Sequence, residues 1–313
     1  MFNTLIKYLN IIIFLFFSSF VLADGNKLIV LGGASTKGSF WPVSNSICNI
    51  VNKDKDIHNF RCLPSVTGGS VYNINAVLTG ELDMALAMTN VLHEQYHNTD
   101  DGKSLRFLSN LYKEPVLVIV KKEGAIKSFD DIEPSTIINI GNAGSGERVL
   151  ADKMFTIMNW NKTNFSNLTT YTTNESIASF CNNELDVIVT AIGLPNDNYT
   201  YLAKECDAMY ISLSDRLLDN FVEGPFYAEY NIPLELSPNN TEAAKTAHTN
   251  IILFSKHENS NEMINAVLSS LFKYFDEFAE SMPLLSLSTK EYYSSQSIQI
   301  PIHSGAEIFY QKQ

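Results

Sequence analysis

Residues 135–155 read STIINIGNAGSGERVLADKMF. A short apolar run leads into a loop with glycines at 141, 144 and 146, and a helical pattern follows with Val149, Leu150, Met154 and Phe155 on its buried face. The same plan occurs twice earlier. KLIVLGG (27–33) runs into ASTKGSFW (34–41), then into a helix with Pro42 suited to its first position and Val43, Ile47, Ile50 and Val51 at helical spacing. RCLPSV (61–66) runs into TGGS (67–70), then into a helix carrying Val71, Ile74 and Leu78, with Ser70 as the expected N-cap and Gly80 as the stop. Further apolar strands are expected at 83–89, 115–122, 185–192 and 250–256. This alternation predicts an α/β fold with parallel sheets covered by helices.

Two sheets are expected. NLYKEPVLVIVKKEGAIKSFDDI has the form of a strand leaving one lobe for another, and FYAEYNIPLELSPNN that of the return. The reading is a discontinuous lobe I of residues 24–113 plus 214–313, an inserted lobe II of residues 114–213, and a ligand cleft between them. A single amphipathic helix is expected over 259–279, with Met263, Ile264, Val267, Leu271 and Phe275 inward.

In such sheets the loops at the strand carboxyl ends gather at one edge. The following helices point free N–H groups and the positive ends of their dipoles at that edge. Several such loops around one cleft make an anion site. Arg148 fits this, because a cation in a helix's first turn opposes the dipole at a cost of about 0.3–1 kcal/mol unless an anion lies between; Glu147 beside it could compensate instead. Nucleotide motifs fit poorly. In GASTKGS (33–39) the lysine precedes the second glycine, and GNAGSG is spaced GxxGxG rather than GxGxxG. No cofactor is expected.

A rival reading is HEQYH, with His93, Glu94 and His97 in the HExxH spacing of zinc metallopeptidases. It needs a third ligand. The extended motif fails because Asp100 and Lys103 stand where Gly and His would be, leaving Glu114 as a distant candidate.

Composition narrows the field. The chain has 313 residues and a formal charge of −12, and so acidic a surface argues against nucleic acid as a partner. Residues 1–23 carry Lys7, an apolar run and small residues ending at Ala23, the pattern of an export signal. The run is short of the about 20 residues a membrane-spanning helix needs. Cys48, Cys62, Cys181 and Cys206 all follow it. Three disulfide connectivities are open, the sequence-local pairs 48–62 and 181–206 being the simplest, and four buried free thiols are the alternative.

The ordered motifs GGASTKGSFWP, TGGSVYNINAVLTGELDMALAMTN, INIGNAGSGERV, CNNELDVIVTAIGLPN and IPIHSGA resemble the TAXI-type solute receptors of tripartite ATP-independent periplasmic (TRAP) transporters. The similarity covers essentially all of the chain after residue 23. It implies a two-lobed periplasmic binding protein of the type II-like fold that is not an enzyme. It would capture a small organic anion, an amino acid or a dicarboxylate such as glutamate or 2-oxoglutarate, and pass it to membrane permease subunits driven by an ion gradient. The cysteine positions also look like those of many members, which supports the local disulfides.

By matching position, the resemblance implies ligand contacts from Ser35, Thr36, Ser39, Phe40 and Trp41 in the first loop and from Thr67, Gly68, Gly69 and Ser70 in the second. Asn90 stands where many members have aspartate, and Glu114 is kept while Tyr112 and Lys113 replace a more usual His-Pro. Asn142, Gly144, Ser145, Gly146 and Arg148 follow in the third loop, with Gly193, Pro195 and Asn196 facing them. A carboxylate held between Thr67–Ser70 and Ser145–Arg148 is the expected core of the site.

Overall fold

The computed structural model describes residues 26–286, 288–296 and 298–313, so the expected export signal lies outside the described residues. Strand β1 (Lys27–Gly32) leads into helix α1 (Phe40–Lys53), followed by β2 (Phe60–Ser65), α2 (Ser70–Thr79), β3 (Met84–Met88) and α3 (Thr89–Asn98). The long β4 (Leu105–Lys121) crosses to the second half. That half holds β5 (Ile138–Asn139), α4 (Gly146–Ile157), β6 (Leu168–Thr169), α5 (Thr173–Cys181), β7 (Val187–Ala191), α6 (Asp197–Glu205) and β8 (Ala208–Ile211). Helix α7 (Asp215–Val222), β9 (Tyr227–Ile232) and β10 (Ala244–Lys256) return the chain. Helices α8 (Asn261–Lys273), α9 (Phe275–Glu280), α10 (Lys290–Ser294) and α11 (Ser304–Tyr310) complete the fold.

The strand order is β2-β1-β3-β10-β4-β7-β5-β6, with β8 beside β4 and β9 beside β10. The two expected sheets are present and share β4. Its segment Leu105–Pro115 pairs with β10, while Val116–Lys121 pairs with β7 and β8. Among the named strands of the described residues, the parallel pairs are β1 with β2 and β3, and β5 with β6 and β7. The pairs made by β10 and β4 are antiparallel. The wholly parallel sheets expected from the alternation are therefore mixed, because the strands that carry the chain between halves run against their neighbours.

Burial follows the helical spacing. Val43, Ile47, Ile50 and Val51 of α1 are buried against the first sheet, each stabilising by roughly 1.5–3 kcal/mol before ordering costs. Pro42 lies within the first turn of α1, where its missing N–H leaves no intrahelical bond unmade. A separate cluster of Leu117, Ile119, Phe180, Ile188 and Leu202 forms one part of the second half's core, joined by Ile232 and Ala244 from the return segment, while Val118, Ile138, Leu150, Phe155 and Val187 belong to the main core that runs through both halves. Disulfides link Cys48 to Cys62 and Cys181 to Cys206, each with Cα atoms 4.9 Å apart. The first ties α1 to β2 and the second ties the ends of α5 and α6. Among the described residues no helix is long and apolar enough to cross a membrane.

Two local expectations are corrected. Ser70 is the first residue of α2 rather than its cap; Gly69 occupies that position with φ 101°, and the Ser70 hydroxyl accepts from the Met88 N–H at 3.2 Å. The helix expected over 259–279 breaks at Tyr274 (φ −107°, ψ 34°) into α8 and α9. Beside the break, Asp54 accepts from Lys273 Nζ at 2.7 Å and from the Tyr274 hydroxyl at 2.9 Å.

Candidate functional site

The strand carboxyl ends and the helix amino ends of both halves meet at one cavity of about 110 Å³. The first half contributes Ala34, Ser35, Gly38, Ser39 and Phe40 before α1, Thr67–Ser70 before α2, and Met88 at the end of β3. The second contributes Asn142 and Ser145–Glu147 at α4, Thr172 and Thr173 at α5, and Ala191 and Ile192 after β7. Glu114 enters from β4, the strand that both halves share. Four helix amino ends thus face one space, each with backbone N–H groups that lack intrahelical partners.

The halves are closed on each other. The Val71 and Tyr72 N–H groups, in the first turn of α2, both donate to the Gly144 carbonyl at 3.0 Å. Asn198 Nδ2 donates to the Lys37 carbonyl at 3.1 Å, Ser35 Oγ to Asn174 Oδ1 at 3.1 Å, and the Gly193 N–H to Ser39 Oγ at 3.4 Å. A Cβ on Gly146 would lie 2.4 Å from Met88 Sδ and 2.9 Å from Ser70 Oγ, so a larger residue there would require the Met88 and Ser70 side chains to move.

The loops are braced from beneath. Thr67 Oγ1 donates to the Gly33 carbonyl at 2.8 Å and accepts from the Gly69 N–H at 3.3 Å. Ser145 caps α4, accepting from the Arg148 N–H at 3.1 Å while donating to the Asn142 carbonyl at 2.8 Å. Thr172 and Glu175 form a reciprocal capping box at the start of α5. Buried Asn73 donates to the carbonyls of Gly33 and Leu86 at 2.7 and 2.8 Å, tying β1 to β3 beneath the cavity.

The charge of the lining is acidic. It holds Glu114 and Glu147, and among its residues there is no Lys, Arg or His. Glu114 is 2% exposed. Its Oε1 accepts from the Ser39 hydroxyl and from the Tyr112 hydroxyl at 3.1 Å. Burial pushes its carboxyl up to about 8, with the nearby Glu147 adding to the rise and the hydroxyl donors opposing it. Burial likewise pushes Glu147 up to about 6, opposed by the bond its Oε1 accepts from Thr190 Oγ1 at 2.6 Å.

Of the residues expected from sequence, Ser35, Ser39, Phe40, Thr67, Gly68, Gly69, Ser70, Glu114, Asn142, Ser145 and Gly146 are brought together around this cavity. Arg148 is not. Its Nε donates to Asp152 Oδ1 at 2.9 Å, one turn along the same helix, and Lys162 shares that carboxylate. The Arg148 guanidinium is thus paired with an acid of its own helix. Gly144 spends its carbonyl on closure, and Gly193 packs on the Tyr112 ring. Asn196 caps α6 by accepting from the Asn198 N–H at 3.0 Å, and Pro195 precedes it after a cis peptide bond. Thr36 is exposed, and Trp41 lies just beyond the lining residue Phe40. Asn90 is buried outside the lining, and its side-chain amide has no bonding partner.

Sequence reasoning missed Thr172, Thr173 and Glu147 as lining residues. The T-x-x-E spacing of Thr172 and Glu175 was a readable sign of a helix start. For Glu147 nothing local distinguished an inward carboxylate from a partner for Arg148.

The HExxH histidines lie elsewhere. His93 and His97 share one side of α3 with ring centroids 4.1 Å apart, His93 packs on Phe226, and His97 Nε2 is 3.3 Å from the Gln299 carbonyl. Glu114, the distant candidate for a third ligand, is held in the cleft by Ser39 and Tyr112. Among the described residues no three His, Cys, Asp or Glu side chains are grouped to hold a metal, so a peptidase zinc centre on these histidines has no third ligand.

Comparison with known proteins agrees with this architecture. A binding-protein component of an ABC phosphonate transporter from Pseudomonas aeruginosa superposes with a TM-score of 0.58 at 13% identity, covering 83% of this chain and 80% of that one. MatC from Rhodopseudomonas palustris with bound malate superposes with a TM-score of 0.55 at 11% identity, covering 83% and 88%. At such identities the likeness speaks for the fold. Residues 31–313 match the model of the NMT1-like family. With two lobes closed around a cavity at their strand ends and nearly its whole length matched, this chain belongs to the NMT1-like family and has the fold of periplasmic binding proteins.

Proposed function

We propose that this protein is a solute-binding receptor of the TAXI type. It captures a small organic acid, an amino acid or a dicarboxylate of the glutamate or 2-oxoglutarate class, on the periplasmic side and delivers it to TRAP-type permease subunits without turnover. Lobe I is taken as 24–113 plus 214–313 and lobe II as 114–213, with Ile232 and Ala244 carried on lobe II. The observation that carries the reading is one cavity walled by four helix amino ends from both lobes, with Ser39, Thr67, Ser70, Ser145 and Thr172 among its lining residues. Such a site binds more tightly in the closed form than in the open one, and that differential affinity is what couples ligand to closure.

Mass spectrometry of small molecules released from freshly purified, denatured protein tests the proposal, together with thermal melts against organic acids. One acid released and a rise in melting temperature with that acid are expected. At a hundred times its dissociation constant, the added stability is about 2.7 kcal/mol. Absence of both results, or conversion of the acid into a product, would reject the receptor reading.

A further inference from the structure

We propose that Glu114 and Glu147 together form a seat for a cationic nitrogen of the ligand. The cleft then selects a molecule that carries an ammonium as well as a carboxylate, and discriminates against dicarboxylates. This deepens the receptor reading above and rests on it.

The argument starts from the charge of the cavity wall. Two carboxylates line it, and none of its residues is a cation. Arg148, the cation of the third loop, is held by Asp152. A dicarboxylate entering this space would meet two acidic side chains with only helix amino ends, about half a positive charge each, to oppose them. A zwitterion divides the task. Its carboxylate lies at the amino ends of α2 and α4, around Ser70 and Gly146, and its ammonium lies against the two glutamates.

Both glutamates are placed for this by contacts from several elements. Glu114 is fixed by Ser39 at the start of α1 and by Tyr112 on its own strand, and the Gly193 backbone N–H lies beside it. Glu147 is fixed by Thr190 of β7. The other titratable groups facing the pair are the hydroxyls of Tyr112 and Tyr199, both pushed above their ordinary range by burial and by these carboxylates. Burial raises both carboxyls, Glu114 more than Glu147, so Glu114 is the member of the pair that more readily keeps its proton. An arriving ammonium favours the ionised form of both. Glu114 then loses its proton to solvent, and binding releases protons in the range from about 6 to about 8. A dianion would drive the opposite change, with Glu147 taking up a proton.

The experiment is titration calorimetry of the full protein at pH 7 in buffers of different ionisation enthalpy. The probes are matched pairs that differ only in ammonium against ketone: L-glutamate with 2-oxoglutarate, L-alanine with pyruvate, and L-leucine with 4-methyl-2-oxopentanoate. The expected result is that the preferred amino acid binds at least tenfold more tightly than its oxo acid and releases protons. In Glu147→Gln, which keeps an oxygen for Thr190, that preference falls at least tenfold, while a melting curve confirms that the variant is folded.

Equal or tighter binding of an oxo acid, or proton uptake on binding, overturns the seat. So does failure of all six probes to bind. The molecule released on denaturation separates the two readings. A released amine supports the seat, a released acid without basic nitrogen overturns the seat and leaves the receptor standing, and the absence of any small molecule counts against the receptor itself.

Discussion

Gly146 shows how single positions set what the cleft can do. Its backbone lies against Met88 and Ser70 from across the cavity, so if the proposed receptor closes on its ligand, Gly146→Ala should weaken ligand binding about tenfold, or about 1.4 kcal/mol. The denaturation midpoint of the ligand-free protein should barely change, and unchanged affinity in a binding titration would show that this closed contact is not used. Arg148→Ala should do the reverse of what its loop position promised. Its i,i+4 pair with Asp152 is half-exposed, so affinity should shift less than twofold and stability should drop by about 0.5 kcal/mol or less. Glu114 predicts a pH dependence. Its carboxyl binds its proton more tightly folded than unfolded, so its contribution is fully present below the unfolded value of about 4.3 and is lost as pH rises towards about 8. Glu114→Gln in the ligand-free protein should therefore match the parent near pH 4 and exceed it in stability by more than about 1 kcal/mol at pH 8, as read by urea melts across that range. A constant difference at all pH values would contradict a buried, protonated Glu114.

At the scale of elements, much was legible because the signals are local. The apolar face of α1 was plain from spacing, and Val43, Ile47, Ile50 and Val51 are all buried; in α2 only Ile74 of the three named residues is buried, with Ala76 and Val77 beside it, and in α4 Leu150, Met154 and Phe155 are buried while Val149 is half-exposed. Element ends were harder. Ser70 reads as a cap, yet tertiary contact gives its hydroxyl to Met88 and leaves Gly69 to turn the chain at φ 101°. The periodicity of 259–279 runs unbroken through Tyr274, where the helix breaks beside a tertiary contact to Asp54, 220 residues away in sequence. The disulfide between Cys181 and Cys206 joins the carboxyl ends of α5 and α6. Replacing both cysteines by serine should cost about 3 kcal/mol, seen as a lower denaturant midpoint at unchanged slope. Because α5 begins at the cavity through Thr172 and Thr173, ligand affinity in the same variant should stay within about threefold while the protein remains folded.

At the scale of the whole molecule, β4 and β10 carry the chain between halves and share an antiparallel ladder from Leu105 to Pro115, and closure of the proposed receptor on its ligand would turn the lobes about these strands. Solution scattering should therefore give a smaller radius of gyration with ligand than without, and Gly146→Ala should keep the larger value at ligand concentrations that close the parent. No difference between the two states in the parent would argue against closure. Local order was in the sequence: the β/α alternation, the glycine loops, the paired cysteines and the ordered motifs that point to a solute receptor. These depend on residues near one another along the chain, where spacing and side-chain chemistry act directly. The tertiary structure decided which side chains face the cavity. It turned Arg148 onto Asp152, brought Glu147 beside Glu114 from a different element, and added Thr172 and Thr173 to the wall. The physical reason is that the sign of a site's field is summed over elements distant in sequence, and no single loop carries that sum.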